Sequence, residues 1–277
     1  MNTKTMTVRD NELYMGEHSL VSLANKYKTP LYIYDETHIR DKIVTFKDNF
    51  KSDYYDCELV YASKAFIAPY FSKIIDEYDM NIDSVSLGDL YLLEKANFPM
   101  GKVLMHGNNK SEEELIYCIN KNVGYIVVDN INELITLDEL TKKFKKVVKL
   151  ILRVNPGIEA HTHAYIKTSL LNSKFGESIF DMDVIEKIIN ISLKSKYLHL
   201  VGFHAHIGSN IYNPDSFKSV AEVMLDFIKK VKDEFGFETT VLNLGGGFGI
   251  RYTNADPIVD IPLILKQMTQ TVDQLLI

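Results

Sequence analysis

The chain has 277 residues, of which 46% are hydrophobic and 25% are charged, and a net charge of -6. These values are typical of soluble globular proteins, and no apolar run approaches the ~18 residues that a membrane span requires. The acidic balance disfavours nucleic acid and anionic membrane surfaces as partners, because both require a basic face. The N-terminus has no apolar signal-peptide core, so we expect a cytoplasmic protein. Cys57 and Cys118 form no CxxC pair and are expected to be reduced.

Strand-like apolar runs alternate with helix-like amphipathic runs along the chain, which predicts an α/β fold with a parallel sheet and crossover helices. The length suits one (β/α) TIM-type barrel of about 250 residues. The predicted strands are residues 31–34, 58–61, 80–85, 103–106, 125–128, 150–154, 198–206 and 241–244. The clearest predicted helices are residues 37–50, 68–78, 111–121, 132–144, 180–194 and 217–235. Ser111 and Glu114 predict a capping box at the start of one helix.

Lys64 lies between small residues just after the second predicted strand, in the stretch VYASKAF. A partly buried lysine at this place would have a lowered pKa, and its neutral amine could attack a carbonyl to form a Schiff base. From these residues alone, a solvated lysine at a strand end is the more common explanation. Barrel enzymes carry their chemistry at the C-terminal ends of strands. That rule selects Lys64, Asp83 with Ser86, His106, Asp129, Arg153 with Asn155, His204 with His206, and residues 245–249.

Three consecutive glycines, Gly245, Gly246 and Gly247, follow the last predicted strand in LNLGGGFG. Glycines allow several backbone N–H groups to approach one anion, so this turn is a candidate phosphate site, with a simple strand-to-helix turn as the alternative. The spacing differs from the dinucleotide-binding GxGxxG pattern. In GFHAHIGS, His206 precedes a turn whose Ser209 could bind the same phosphate, while the imidazole could lie flat on an aromatic ring.

Alternating histidines offer a second interpretation, because His204 with His206, and His161 with His163, could be metal ligands. A metal site would explain neither Lys64 nor the three glycines, so we predict no metal. The long polar segment 153–176 is predicted to form the rim of an active site.

In this order, the segments resemble those of the fold-type III, alanine-racemase-like pyridoxal-phosphate enzymes, most closely the diaminopimelate decarboxylase branch. The motifs are TPLYIYD from residue 29, YASKAF around Lys64, HGNNKS from residue 106, RVNPGIEAHTHAYIKT from residue 153, SKFG from residue 173, GFHAHIGS and LNLGGGFGIRY. Together they cover nearly the whole chain and make Lys64 a Schiff-base candidate.

The resemblance implies that pyridoxal 5'-phosphate is the cofactor and that Lys64 is the catalytic residue that binds its aldehyde. It further implies that His206 stacks on the pyridine ring and that Asp83 lies near the lysine. Arg153 would approach the ring face or the phenolic oxygen. Ser209 and the three glycines would hold the phosphate. The implied reaction is decarboxylation of the small amino acid meso-2,6-diaminoheptanedioate to L-lysine and carbon dioxide, in a protein that is a homodimer at full length.

The chain departs from the family pattern in its C-terminal part. By analogy, residues 1–35 would pack with a C-terminal β domain that is absent, and residues 36–277 would form a pyridoxal-phosphate-binding barrel without its last strand. The open sheet edge predicts that this chain alone is poorly stable or inactive. Two other functions stay open, namely a sister decarboxylase for ornithine, arginine or carboxynorspermidine, and a non-catalytic pyridoxal-phosphate-binding protein.

Overall fold

The N-terminal part of the chain forms a small antiparallel sheet in the computed structural model, which describes residues 4–158 and 175–276. Strands β1 (Met6–Arg9), β2 (Glu12–Met15) and β3 (His18–Ser19) pair in that order, and helix α1 (Leu20–Tyr27) follows. Asp10 and Asn11, both at positive φ, form the two-residue turn between β1 and β2. This residue pair suits a tight hairpin, and sequence reasoning overlooked it.

The predicted strand at residues 31–34 is wrong, because the structure contains no strand there. Hydrophobic alternation predicts a strand only where a neighbouring strand offers its hydrogen-bonding edge. The segment is largely exposed, and Tyr34 instead stacks on the ring of Phe66 with centroids 4.2 Å apart. The segment therefore contributes an aromatic contact next to Lys64 and no sheet pairing.

The remaining elements alternate between strand and helix, as predicted, and their bounds lie within three residues of the expected ones where both exist. They are α2 (Glu36–Asn49), β4 (Val60–Ala62), α3 (Pro69–Glu77), β5 (Asn81–Ser84), α4 (Leu87–Lys95), β6 (Val103–Met105), α5 (Glu112–Lys121), β7 (Tyr125–Val128), α6 (Ile131–Phe144), β8 (Val148–Asn155), β9 (Glu177–Ser178), α7 (Met182–Lys194), β10 (Leu198–Ala205), α8 (Pro214–Phe235), β11 (Val241–Asn243) and α9 (Ile261–Leu276). The predicted capping box is present at the start of α5.

The main sheet is parallel, and its strand order β4-β5-β6-β7-β8-β10-β11 follows the chain, with β9 paired to β8. This order is that of an unfinished (β/α) barrel, so the predicted fold class is confirmed. Among the described residues, the sheet ends at β4 and β11. Helix α9 contacts both α8 and α2, so it spans the gap between the two ends of the sheet.

Two apolar layers cover the two faces of the sheet. The larger core includes Met105 and Leu152 and packs the strands against the helices, whereas Leu104, Ile151 and Val201 belong to a smaller inner cluster. Alternate residues of one strand face opposite sides, so this division shows which strand-end side chains point inward. No helix of the described part is both long and apolar enough to cross a membrane.

A register shift in β10, between Leu200 and Gly202, changes which of its side chains face inward. Before the shift Leu200 packs in the outer core, and after it Phe203 does so, which leaves His204 on the inner side. A bulge of one residue reverses the alternation in this way. Gly202 makes the arrangement possible, because a Cβ there would lie 1.8 Å from the carbonyl oxygen of Val241.

Candidate active site

The C-terminal ends of the strands open into one large groove of about 2300 Å³. Ser86 and Asp129, which the strand-end rule also selects, do not line this groove, whereas each residue that the resemblance assigns to the site does: Lys64, Asp83, Arg153, His206, Ser209, Gly245, Gly246 and Gly247. The parallel strand order accounts for this, because it brings the carboxyl ends of all strands to one edge of the sheet. The structure therefore places these residues around one space, while their roles stay predictions.

Lys64 lies in a turn directly after β4, and its side chain is exposed. The partial burial that we expected from the sequence is not found, because small neighbours leave the lysine open to the groove. The turn itself is well held. Asp89 Oδ2 accepts a hydrogen bond from Ser63 Oγ at 3.1 Å and another from the backbone N–H of Val85 at 3.0 Å. This carboxylate joins the ends of β4 and β5, and sequence reasoning missed it.

Five polar side chains, which we name the floor cluster, lie at the inner ends of strands β5 to β10: Asp83, His106, Asp129, Arg153 and His204. Asp83 Oδ1 lies 2.9 Å from His106 Nε2, but the two atoms are not aligned as a hydrogen bond. The His106 and His204 rings meet edge to face with centroids 4.8 Å apart. Within the described residues, Asp83 Oδ1, His106 Nε2, His204 Nδ1 and Asp129 Oδ1 are buried without a hydrogen-bond partner.

Unpaired buried polar atoms are costly, and native proteins keep few of them. Four such atoms in one cluster beside a groove indicate a surface that receives polar groups of a ligand or of water. Sequence reasoning selected these five residues by their position after strands, but it assigned no role to His106 or Asp129 and considered His204 only as a possible metal ligand.

Arg153 is the cation of the floor cluster. Its guanidinium Nη1 lies 3.7 Å from Asp129 Oδ1, and its Cζ lies 4.7 Å from the centre of the Phe175 ring. Burial lowers the pKa of Arg153, opposed by the negative charges of Asp129 and Asp83, and the group stays protonated. The ion pair of Arg153 with Asp129 is therefore largely buried and is not a surface salt bridge. Burial likewise raises the pKa of Asp129, against the opposing effects of the Gly176 N–H and Arg153.

His206 lines the groove with an imidazole ring that is uncharged near neutral pH. Burial first, and then the charges of Lys64, Arg153 and His106, lower its pKa from 6.5 to about 4. His204 is completely buried, and burial lowers its pKa well below the ordinary value. Both rings are therefore uncharged near neutral pH, and the flat face of His206 can contact an aromatic ring without repelling a nearby cation.

The pKa values of these histidines predict a loss of stability in mild acid. His206 titrates near pH 4 when folded and near 6.5 when unfolded, so between these values the unfolded chain binds more protons. Stability should therefore be complete above pH 6.5 and fall as the pH decreases towards 4, by about 1–3 kcal/mol for His206. Chemical denaturation across this range, compared with His206→Gln, tests the prediction. An equally steep fall in the variant would contradict the assignment to His206.

The two glycine-bearing loops touch each other at the mouth. The Ile211 N–H donates to the Gly247 carbonyl at 2.8 Å, and the Gly249 N–H donates to the Ile211 carbonyl at 2.8 Å. Gly245 and Gly247 have φ of +72° and +94°, a region that favours glycine. Ser209 is exposed beside them.

Asn243 supports the first glycine, because its Oδ1 accepts the Gly245 N–H at 2.8 Å. Sequence reasoning missed this residue, although an asparagine two residues before a glycine turn is a known turn signal. Together the two loops form a cradle of backbone groups with one exposed hydroxyl, which suits a phosphate.

Two of the sequence-based interpretations concern residues outside the described part of the chain. His161 and His163, and most of the predicted rim at residues 153–176, lie there. Among the described residues, no group of three or more histidine, cysteine or acidic side chains is arranged to hold a metal ion. Cys57 and Cys118 are free thiols.

Comparisons with known proteins find a matching family model and similar sequences. The family model for the pyridoxal-binding domain of pyridoxal-dependent decarboxylases matches residues 36–276. The chain is 40% identical to the diaminopimelate decarboxylase of Bacillus methanolicus over 271 residues, which are 96% of this chain and 62% of that protein. It is 41% identical to the enzyme of the same name from Bacillus subtilis (strain 168) over 253 residues, which are 90% of this chain and 57% of that protein.

The solved structures give the same picture. The diaminopimelate decarboxylase from M. jannaschii, in complex with L-lysine, has a TM-score of 0.87 and 30% identity and covers 99% of this chain. This chain in turn covers 62% of that protein. The chain thus spans less than two thirds of the length of the relatives that it matches.

Proposed function

Because this chain belongs to the pyridoxal-dependent decarboxylases and matches their pyridoxal-binding domain, we propose that it forms the cofactor-binding part of a diaminopimelate decarboxylase. Such an enzyme converts meso-2,6-diaminoheptanedioate to L-lysine and carbon dioxide. The observation that carries the proposal is the groove itself, which gathers an accessible lysine, a neutral histidine and a glycine cradle around one space.

The residues around the groove fit pyridoxal phosphate. A Cβ at Gly247 would lie 2.0 Å from the Gly208 carbonyl oxygen, so the backbones of the two loops are in close contact beside Ser209. Closely spaced backbone N–H groups in such turns can bind an anion. The floor cluster contains four buried polar atoms without a hydrogen-bond partner among the described residues, and these could bind polar groups of the cofactor or substrate. Lys64 would hold the aldehyde carbon, His206 would lie against the ring, and Ser209 with Gly245, Gly246 and Gly247 would hold the phosphate.

When bound, the cofactor supplies an aldehyde that takes up the substrate amine and a conjugated ring that accepts the electron pair left by departing carbon dioxide. The protein supplies orientation and charge. Lys64 offers an amine at the open side of the groove, and the uncharged His206 ring limits movement of whatever lies against it. Arg153, in contact with Asp129 and Phe175, supplies a largely buried positive charge. Asp83 of the floor cluster adds a carboxylate that lines the groove and lies 2.9 Å from His106 Nε2.

The substrate is supported by similarity. Both Bacillus relatives carry the name diaminopimelate decarboxylase, and the M. jannaschii enzyme of that name was solved with L-lysine, the product of this reaction. We also propose that the full-length protein is a cytoplasmic homodimer, that residues 1–35 pack with a C-terminal β domain, and that residues 36–277 form the barrel.

The decisive experiment is carbon dioxide release by the full-length protein with meso-2,6-diaminoheptanedioate, ornithine, arginine and carboxynorspermidine. We expect kcat/KM for the diamino diacid to exceed the others by at least about 10³-fold, because a site built for a second polar end rejects analogues that leave its groups unpaired. Preference for another amino acid would assign a sister decarboxylase. Pyridoxal phosphate binding without any carbon dioxide release would favour the non-catalytic alternative.

A further inference from the structure

A buried ion pair lies behind the floor cluster, outside the groove. The side chains of Lys110 and Glu133 are 1% and 6% exposed, with Lys110 Nζ 2.7 Å from Glu133 Oε1. Neither residue lines the groove. Taking two charges out of water is costly, and a well-packed apolar pair would often be as stable. Stability alone therefore does not explain why the chain has this ion pair, and its hydrogen bonds to neighbouring elements suggest a structural role.

The ammonium group of Lys110 is saturated by three acceptors from three elements. It donates to the carbonyl of Gly107, just after β6, to the carbonyl of Val127 in β7, and to Glu133 in α6, each at 2.7 Å. An ammonium has three N–H donors, so none is left for a ligand. All three donors of Lys110 are therefore used in hydrogen bonds to two backbone carbonyls and to Glu133.

The contacts of Lys110 connect β6 and β7 beyond the last residues that pair between these two strands. The pairing of β6 with β7 comprises Leu104 with Tyr125 and Met105 with Ile126. Gly107 and Val127 lie beyond the last pair, and Lys110 connects their carbonyls. Lys110 therefore links the two strand ends beyond their last paired residues.

Each end held in this way carries one residue of the floor cluster. His106 directly precedes Gly107, and Asp129 lies two residues after Val127. Glu133 Oε2 also accepts the backbone N–H of Asp129 at 3.2 Å, so the pair contacts Asp129 directly. Asp129 in turn lies beside Arg153.

We propose that Lys110 is a positioning residue that sets the spacing between the ends of β6 and β7 and thereby places His106 and Asp129 in the floor cluster. A role of Lys110 in catalysis rests on the proposed function. Its effect on the positions of His106 and Asp129 does not. Removing Lys110 alone would leave Glu133 buried and unpaired, so loss of folding could hide the effect. The informative change is therefore the neutral pair Lys110→Met with Glu133→Leu.

The matched control is Lys121→Met with Glu94→Leu, which removes an ion pair between α5 and α4 whose side chains are 38% and 31% exposed. Neither of these residues lines the groove. Both double changes leave the net charge of the protein unaltered, and neither Lys110 nor Glu133 is among the groups that chiefly set the pKa of His206, so a shift in its titration indicates altered placement of those groups.

The first measurement is the titration midpoint of His206 by NMR in the full-length protein without cofactor, with the resonance assigned through His206→Gln. Because His106 and Arg153 both lower the pKa of His206, their displacement should raise its midpoint, by at least about half a unit. The second is the dissociation constant of pyridoxal phosphate, which should increase roughly tenfold, as when supporting residues around a bound metal are removed. The control pair should change neither quantity.

A folded Lys110→Met/Glu133→Leu protein with the parent midpoint and affinity would overturn the proposal. If this variant does not fold, Glu133→Gln decides in its place, because glutamine keeps one acceptor and loses the second. Glu133→Gln should raise the His206 midpoint and the dissociation constant of pyridoxal phosphate by smaller amounts than the double variant. If both values stay those of the parent, the proposal is overturned. Should the parent fail to bind pyridoxal phosphate, the proposed function falls, while the cofactor-free titration still tests Lys110.

Discussion

Replacing Lys64 with alanine in the full-length protein is expected to abolish the covalent adduct with pyridoxal phosphate and to lower kcat/KM by more than about 10³-fold. The reason is chemical, because a Schiff base needs a primary amine and no member of the floor cluster carries one. The adduct is followed by its absorbance and trapped with borohydride, and mass spectrometry of peptides then locates it.

A second lysine of the groove provides the control. Lys42 also lines the groove and is exposed, so it shares the accessibility of Lys64 but not its place at the end of a barrel strand. Lys42→Ala should keep both the adduct and most of the activity. Trapping of the cofactor on Lys42, or an undiminished adduct in Lys64→Ala, would show that the assignment of Lys64 is wrong.

Gly247→Ala should lower the free energy of unfolding by more than about 3 kcal/mol, because strain and overlap add. The φ of +94° at Gly247 strains any residue with a Cβ, and that Cβ would lie 2.0 Å from the Gly208 carbonyl oxygen. Backbone cannot move aside as a flexible side chain can, so the two loops must separate. Chemical denaturation of parent and variant measures the loss, and pyridoxal phosphate affinity should fall with it.

The neighbouring glycine is the matched control. At Gly246 the φ is not positive, and a Cβ would lie 3.8 Å from the Phe248 ring, which is ordinary contact. Gly246→Ala should therefore change stability by less than about 1 kcal/mol. If it weakens pyridoxal phosphate binding at unchanged stability, the cofactor approaches this backbone closely. Equal stability of both variants would contradict the loop geometry described above.

Much of the fold, and the residues proposed for the cofactor site, could be predicted from local pattern and motif order. The alternation of strands and helices predicted the barrel, and the match to the pyridoxal-binding domain confirms the family and its cofactor. The residues of the groove could be named because motif order and the strand-end rule act on short stretches of chain. The wrong strand at residues 31–34 and the missed hairpin at Asp10 and Asn11 have one cause, since a strand depends on its partner.

The sequence by itself determined which residue types stand after which strands, because side-chain identity and order along the chain need no folding to be known. Only the tertiary structure decided how they face. The register shift beside Gly202 turns His204 inward, and the small neighbours of Lys64 leave it exposed instead of buried. The link from Lys110 to Gly107, Val127 and Glu133 joins positions up to 23 residues apart. The burial and hydrogen bonding of a side chain depend on residues that are distant in the sequence. Those residues become its neighbours only when the strands and helices pack together.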